Sequence, residues 1–293
     1  MRYCLVILFS LLSSWAFAQE RWAIVVGISE YPTLSGWCNI NGANDINIIV
    51  PMLQRNGFAQ THITTLANDQ ATKGNIKNVI TALSNKVKDR DIVYFHFSGH
   101  GQLITDINGD EGSKGWDESL IPYDAEFAYR EDYYKGENHI VDDELNEWLT
   151  LLKNKIGNSG KLIVVLDACH SGGGSRYETD DNITIRGVNE RFILPQPTEV
   201  LTTYPNEIRW VCISACKWVQ SNEEYLGYGR LSYTLNKVFD KSLTIEQLES
   251  AIELQYDKMP KRYLTYTRQT TTRTNLCQRQ LRNIARHILI LLN

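Results

Sequence analysis

The sequence alternates short apolar, β-branched runs with amphipathic helical segments, and this alternation restricts the folds that the chain can adopt. Residues 21–28, 91–97 and 161–166 are runs of the kind that form buried parallel strands. Before the third run, residues 142–156 place apolar side chains at helical spacing behind an acidic first turn, which suits the helix dipole. Strands alternating with helices predict an α/β fold, a three-layer αβα sandwich in which helices cover both faces of a mostly parallel sheet.

Two segments depart from regular periodicity. Pro51 lies within the helical pattern of residues 45–54, which predicts either a kink or a late start of that helix. Residues 173–206 are largely polar and show few periodic signals, so we expect them to form long surface loops. No internal repeat, low-complexity linker or change in composition divides the chain, and residues 19–293 are therefore predicted to form one domain.

The first eighteen residues differ from the rest of the chain. Arg2 supplies a positive start, residues 5–12 are mostly apolar, and Ala16-Phe17-Ala18 is a small-x-small cleavage site, the pattern of a secretory signal peptide. The apolar run is shorter than the roughly 20 residues that span a bilayer, which disfavours a membrane anchor. We therefore expect an exported protein, periplasmic or extracellular, that is cleaved after Ala18 and is not held at a membrane afterwards.

Composition narrows the classes of function. Removing Cys4 with the signal leaves five of the six cysteines, an odd number that leaves at least one thiol unpaired in an oxidising compartment. The net charge is −4 and basic residues are not clustered, so a nucleic-acid-binding surface is not expected. A nucleotide-binding domain is disfavoured because residues 27–30, after the first strand, contain neither a Walker motif nor Gly-x-Gly-x-x-Gly.

Two reactive side chains follow directly after predicted strands. His100 comes after residues 91–97 and Cys169 after residues 161–166, at the carboxyl ends where open α/β sheets bind ligands. A thiol with a pKa of about 8.5 is mostly protonated at neutral pH and needs a base, which an imidazole can supply. These residues predict Cys169 as a nucleophile with His100 as its acid–base partner, and the backbone N–H groups of Gly101 and Cys169 as donors to an oxyanion.

Each of these residues also has a structural interpretation. A lone cysteine is more often a core residue or half of a disulfide, and a lone histidine is usually structural. Pairing His96 with His100, or Cys169 with His170, would suggest a metal site, but no Cys-x-x-Cys or further histidine cluster supports zinc. Strand alternation places His96 on the same face as Tyr94, which is a packing position.

Residues 94–101 (YFHFSGHG) and 166–172 (LDACHSG) resemble the His and Cys motifs of metacaspases and related bacterial caspase-like peptidases, a group that includes the gingipains and clostripain. The order of the two motifs also agrees. The resemblance extends over roughly residues 21–240. It includes the first strand, Asn44-Asp45, residues 140–144, and residues 213–216 followed by Gln220 and Glu223. It implies a caspase-like fold and a cysteine endopeptidase whose His–Cys dyad acts on protein or peptide substrates through a thioester.

The resemblance further implies cleavage after Arg or Lys, because Asp45, Ser98 and Asp167 fall at the positions of the family's acidic pocket. Two carboxylates facing a guanidinium or ammonium make charge-assisted contacts. Asp45 has an alternative role as a cap at the start of a helix, and both roles can hold at once. The family often has Cys where this chain has Gly42, so the pocket wall differs.

No cofactor is required for this chemistry, but the resemblance raises the question of calcium. Asp117, Asp142 and Asp143 match three of the family's calcium ligands. The fourth position holds Arg176, which would weaken a site built from oxygen ligands unless Asp180 or Asp181 replaces it. The alternative is that these acids only cap a helix and solvate a loop.

Two further hypotheses concern regulation and function. The polar stretch after Cys169 contains Arg186-Gly187, and many peptidases of this kind cut themselves, so self-cleavage after Arg186 in an exposed loop is expected. The alternative function is a catalytically silent caspase-like module that binds peptides or partners. The presence of both His100 and Cys169 argues against it.

Overall fold

The computed structural model describes residues 19–109, 115–169, 184–195, 210–215 and 222–259. The predicted signal peptide, residues 1–18, and the C-terminal residues 260–293 lie outside the described residues, so the extent of the predicted domain beyond residue 259 is untested.

The strands, in chain order, are β1 (Arg21–Gly27), β2 (Ile63–Ala67), β3 (Ile92–Ser98), β4 (Gly101–Thr105), β5 (Trp116–Leu120), β6 (Ile140–Val141), β7 (Lys161–Asp167), β8 (Val211–Ser214), β9 (Glu224–Tyr225) and β10 (Tyr228–Gly229). The α-helices are α1 (Gly42–Arg55), α2 (Lys73–Ser84), α3 (Asp142–Ile156), α4 (Arg230–Val238) and α5 (Ile245–Tyr256). A parallel sheet runs in the order β2–β1–β3–β7–β8. Strands β4, β5 and β6 form a separate antiparallel sheet.

Each face of the parallel sheet is covered by helices. On one face, α2 and α3 pack through Ile76, Ile80, Trp148 and Leu152 against alternate residues of β1, β3 and β7. On the other face, α1, α4 and α5 pack against the remaining strand residues. Because parallel strands buried on both faces need continuous apolar runs, the sequence pattern follows directly from this arrangement. The predicted α/β sandwich is confirmed.

The prediction of a late start for the first helix is wrong. Helix α1 begins at Gly42 and continues past Pro51, which faces solvent. A proline inside a helix costs about 3 kcal/mol. Burial of Ile49, Met52 and Leu53 on the opposite side offsets this cost, since each fully buried apolar side chain contributes about 1.5–3 kcal/mol.

The prediction of surface loops holds only in part for the described residues 184–195, which form no helix or strand but are not all at the surface. Arg186 and Phe192 are both fully buried. Phe192 pairs with β4, donating its N–H to Leu103 O at 2.8 Å and accepting from Thr105 N at 3.0 Å. Periodicity does not reveal such a segment because its burial depends on long-range pairing.

Two core histidines are held neutral. His96 bonds Ser232 Oγ at 3.1 Å, and His139 lies 3.0 Å from Gln102 Oε1. Burial lowers the pKa of His96 to about 4 and that of His139 to about 3. Strand alternation correctly predicted His96 as a packing position, since it stacks with Tyr94.

Both histidines should make the fold sensitive to acid. In the unfolded chain these histidines bind protons near pH 6.5, whereas in the folded chain they do so only near the lowered pKa values. Their contribution to the free energy of unfolding is therefore complete above about pH 6.5 and falls as the pH drops below that value. We expect about 2–3 kcal/mol lost per histidine between about pH 7.5 and 4.5, measured by urea unfolding. The variant His139→Gln should show a shallower pH dependence than the wild type, and an equal dependence would contradict this account.

Among the described residues, no helix is both long enough and apolar enough to cross a membrane.

Candidate active site

The register of the central strands brings the two predicted catalytic residues to one edge. Strands β3 and β7 are parallel neighbours in which Ser98 pairs with Asp167. His100 and Cys169 each follow two residues beyond this pair, and both are buried. Since adjacent strands lie about 4.8 Å apart, His100 and Cys169 leave the same edge of the sheet from neighbouring strands.

The ring of His100 is held by its surroundings. Its Nε2 donates to the carbonyl oxygen of Cys38 at 2.9 Å, because a carbonyl can only accept. The ring stacks on Trp37 with centroids 4.9 Å apart, and the His100 backbone N–H donates to Tyr31 Oη at 3.1 Å. This tautomer leaves Nδ1 as the basic nitrogen, and Nδ1 has no hydrogen-bond partner among the described residues.

The environment keeps this imidazole neutral at physiological pH. Burial lowers the pKa of His100 to about 4, the Cys38 carbonyl opposes the shift, and the positive charge of Arg186 adds to it. A neutral Nδ1 is the protonation state that a general base requires.

The three predicted pocket residues meet around one buried arginine of the same chain. Arg186 Nη1 lies 2.7 Å from Asp45 Oδ2, donates to Ser98 Oγ, and lies 3.7 Å from Asp167 Oδ2. Arg186 Nε donates to Glu224 Oε1 at 3.0 Å. We call Asp45, Ser98, Asp167 and Glu224 the arginine pocket.

Different elements bring these side chains together. Asp45 comes from the first turn of α1, whereas Ser98 and Asp167 are the last residues of β3 and β7. The approach of α1 requires a glycine at its start, because a Cβ on Gly42 would lie 2.5 Å from the carbonyl oxygens of Ile28 and Ser98.

Asp45 does not act as a side-chain cap. The N-cap position is Asn41, and no side-chain bond caps α1. The Asp45 carboxylate instead accepts from the Gly229 N–H at 3.0 Å and from Ser98 Oγ. Its negative charge in the first turn still interacts favourably with the helix dipole. Of the alternative role as a helix cap, therefore, only this electrostatic part holds.

Three carboxylates surround the Arg186 guanidinium. Burial lowers the pKa of Arg186, but the charges of Asp45, Asp167 and Glu224 outweigh it and raise the pKa above its ordinary value. Burial raises the pKa of Asp167, whereas the Arg186 charge and hydrogen bonds from Ser232 and Asn222 lower it. The lowering effects are together the larger, so the pKa of Asp167 lies below its ordinary value. The pocket therefore stabilises a cation and would be strongly unfavourable for an acidic side chain.

The backbone of residues 184–187 lies across the site and forms an isolated antiparallel bridge between Ile185 and Glu223. Arg186 N–H donates to Asn222 O at 2.9 Å, and Glu224 N–H donates to Thr184 O at 2.9 Å. The Arg186 carbonyl accepts from the Cys169 N–H at 2.7 Å. A Cβ on Gly187 would overlap the Cys169 carbonyl oxygen, so the peptide bond after Arg186 lies directly against Cys169.

The roles of the two predicted oxyanion donors stay predictions. The Cys169 N–H donates to the carbonyl oxygen of Arg186 at 2.7 Å, which is the kind of bond that such a donor would make to an oxyanion. Gly101 begins β4 and pairs with Leu120, and its role as a second donor stays a prediction.

Several residues of the site were missed by sequence reasoning. They contribute the carbonyl that orients His100 (Cys38), the third pocket carboxylate (Glu224), bonds to Asp167 (Asn222 and Ser232), and space for the guanidinium (Gly229, where a Cβ would overlap Asp167 and Arg186). A signal for Glu224 was available, since Glu223 lies in the segment that resembles the family. Arg186 was recognised only as a cleavage site, with no signal that it enters the pocket.

The predicted calcium ligands do not form a metal-binding cluster in the described part of the chain. Asp117 is buried on β5, and Asp142 and Asp143 start α3, where Asp143 accepts from Asn108 Nδ2. The described part of the chain contains no group of three or more His, Cys, Asp or Glu that could hold a metal ion. Arg176, Asp180 and Asp181 lie outside the described residues, and calcium binding stays a prediction.

Comparison with known proteins identifies relatives of the chain. Residues 21–175 match the family model described as metacaspase, peptidase C14 domain. Metacaspase-1A of Aspergillus terreus is 30% identical over 161 residues, 52% of this chain and 36% of the fungal protein. Metacaspase-3 of Arabidopsis thaliana is 38% identical over 127 residues, 41% of this chain and 32% of the plant protein. The matched part thus spans about a third of the length of these curated relatives.

A solved structure shares the fold. The crystal structure of protein GSU0716 from Geobacter sulfurreducens superposes with a TM-score of 0.58, covering 82% of this chain and 89% of that chain. The sequence identity is 21%, so the likeness concerns the architecture alone.

Proposed function

Because the chain belongs to the metacaspase family, we propose that it is a cysteine endopeptidase that cleaves protein or peptide substrates after basic residues. The observation that carries this proposal is the position of Arg186. Its side chain fills an acidic pocket while its carbonyl accepts from the Cys169 N–H, as the residue before a scissile bond would.

The proposed reaction uses His100 and Cys169, which follow the ends of two neighbouring strands. His100 Nδ1 takes the thiol proton, and the sulfur attacks the carbonyl carbon while the Cys169 N–H stabilises the negative oxygen. The C–N bond then breaks, His100 returns the proton to the leaving amine, and a thioester remains. Water, deprotonated by His100, attacks the thioester, releasing the new carboxyl end and restoring the thiol.

The fluorogenic assay of the chain from Gln19 onward tests this proposal. Peptides that differ only in a final Arg, Lys or Asp should be cleaved after Arg and Lys and not after Asp, because Asp would place a fourth carboxylate in the arginine pocket. Cleavage only after Asp would contradict the pocket, and no cleavage of any peptide by folded protein would favour a silent binding module. Parallel assays with calcium and with chelator test the proposed calcium dependence.

Self-cleavage after Arg186 is part of the same proposal, although the residue is buried rather than exposed. The bond between Arg186 and Gly187 lies against Cys169, so cleavage within one chain is expected to proceed at a rate independent of protein concentration. Intact-mass analysis should give fragments ending at Arg186 and starting at Gly187. The variant Gly187→Ala should cut more slowly, since its methyl group overlaps Cys169 O, and an uncut chain in an active preparation would exclude this site.

Export is proposed from the first eighteen residues alone. The N-terminal sequence of the secreted protein should begin at Gln19, and retention of Arg2 in an exported chain would contradict cleavage after Ala18.

A further inference from the structure

Glu224 contacts an atom of Arg186 that a lysine side chain does not possess. We propose that Glu224 makes this peptidase prefer arginine to lysine at the residue before the scissile bond. This inference rests on the proposed function, in which Arg186 marks how a substrate residue binds.

The pocket residues that were predicted from the sequence do not distinguish the two cations. Asp45, Ser98 and Asp167 converge on one nitrogen of Arg186, Nη1. A lysine ammonium carries three donors and satisfies the same acceptors when it reaches this point. These residues explain a preference for basic side chains only.

Glu224 reads a different part of the guanidinium. Its Oε1 accepts from Arg186 Nε at 3.0 Å, and its side chain is only 4% exposed. At the corresponding position a lysine has a methylene group, which cannot donate. With lysine bound, this buried carboxylate would face an apolar group in place of a cationic donor.

Asn41 fixes Glu224 in this position. The Asn41 backbone N–H donates to Glu224 Oε1 at 2.7 Å, and the Asn41 side-chain amide donates to Oε2. The Glu224 backbone is fixed too, since its N–H pairs with Thr184 O at 2.9 Å. The carboxylate therefore cannot turn toward a lysine ammonium without losing its bonds to Asn41, and the preference is built into the folded pocket.

The expected size of the preference follows from one charged hydrogen bond. Loss of such a bond in a buried site changes the specificity constant on the order of 10- to 100-fold. We expect the wild-type kcat/KM to be higher by this factor for a peptide ending in Arg than for the same peptide ending in Lys.

The ratio of these two constants tests the proposal. In Glu224→Ala the ratio should fall close to one, mainly through loss of Arg cleavage, and Glu224→Gln should give an intermediate ratio. Occupancy of the pocket by Arg186 cancels in the ratio, because it reduces the open fraction equally for both peptides. The matched control is Glu223→Gln, since the neighbouring buried carboxylate faces Arg230 at 3.7 Å and should leave the ratio unchanged.

A binding measurement separates this inference from the proposed function. In the double variant Cys169→Ala/Arg186→Ala, n-propylguanidine reproduces the arginine side chain and n-butylamine the lysine side chain. Propylguanidine should raise the melting temperature more than butylamine, and Glu224→Ala should abolish the difference. A difference without any peptide cleavage would overturn the proposed function and support the pocket assignment. An unchanged Arg-to-Lys ratio in active Glu224→Ala, or equal binding of the two analogues, would overturn the role of Glu224.

Discussion

Replacing Cys169 by alanine is expected to abolish peptide hydrolysis, with kcat/KM falling by about 10⁴-fold or more. The sulfur is the only group proposed to form a bond to the substrate, and the carbonyl of Arg186 lies within hydrogen-bond distance of the Cys169 N–H at 2.7 Å. The backbone donor and the arginine pocket remain in this variant, so binding should persist while turnover stops. Fluorogenic peptides ending in Arg measure the loss, and intact mass should show a chain uncut after Arg186.

The partner variant His100→Gln provides the internal control. If the two side chains act as one unit, the double variant Cys169→Ala/His100→Gln should be no less active than either single variant. Additive losses would mean that His100 acts separately from Cys169. Unchanged circular dichroism excludes unfolding as the cause.

Replacing Arg186 by alanine is the second change with a large expected effect, on stability and on activity in opposite directions. Removal of the cation leaves three carboxylates facing each other in a buried site, and breaking a buried ion pair in this way costs about 3–5 kcal/mol. At the same time, an internal arginine held at millimolar effective concentration no longer competes with the substrate for the pocket. Cleavage of dilute Arg peptides should therefore rise on the order of tenfold.

The pH dependence of the stability lost in Arg186→Ala identifies the cause of that loss. Burial already raises the pKa of Asp45, and without Arg186 the folded state should bind protons more readily than the unfolded chain. The stability gap between wild type and Arg186→Ala should therefore narrow as the pH falls from about 7 to about 5. The control is Arg191→Ala, since Arg191 is exposed and rests on the Trp116 ring at 4.5 Å. It should change stability by less than about 1 kcal/mol at any of these pH values. A gap that stays constant with pH would contradict the carboxylate explanation.

Sequence reasoning worked well where a local pattern controls the structure. The runs that became β1, β3 and β7 are buried on both faces, which leaves a continuous apolar signature. Helix α3 begins and ends where its pattern predicted, at 142–156. The start of α1 was misjudged because it depends on the close approach of Gly42 to two strands, which is a tertiary contact.

Part of the candidate site could be predicted from the sequence for the same reason. His100 and Cys169 follow strand ends, and the parallel register of β3 and β7 brings any such residues together. Asp45, Ser98 and Asp167 were assigned through family resemblance, and the structure brings all three around one guanidinium. The resemblance did not indicate which cation would lie among them.

The sequence by itself determined the buried strands and the order in which the His and Cys segments follow them, because a continuous apolar run is a local property of the chain. It also placed a thiol and an imidazole at the carboxyl ends of two strands, whereas the resemblance to a family supplied the carboxylates of the pocket. Only the tertiary structure decided that Arg186 fills the acidic pocket, that Glu224 binds its Nε, and that Cys38 orients His100. These contacts join residues as many as 141 positions apart. Their free energy comes from charges and hydrogen bonds that exist only after the elements have packed, and such interactions have no period in the sequence.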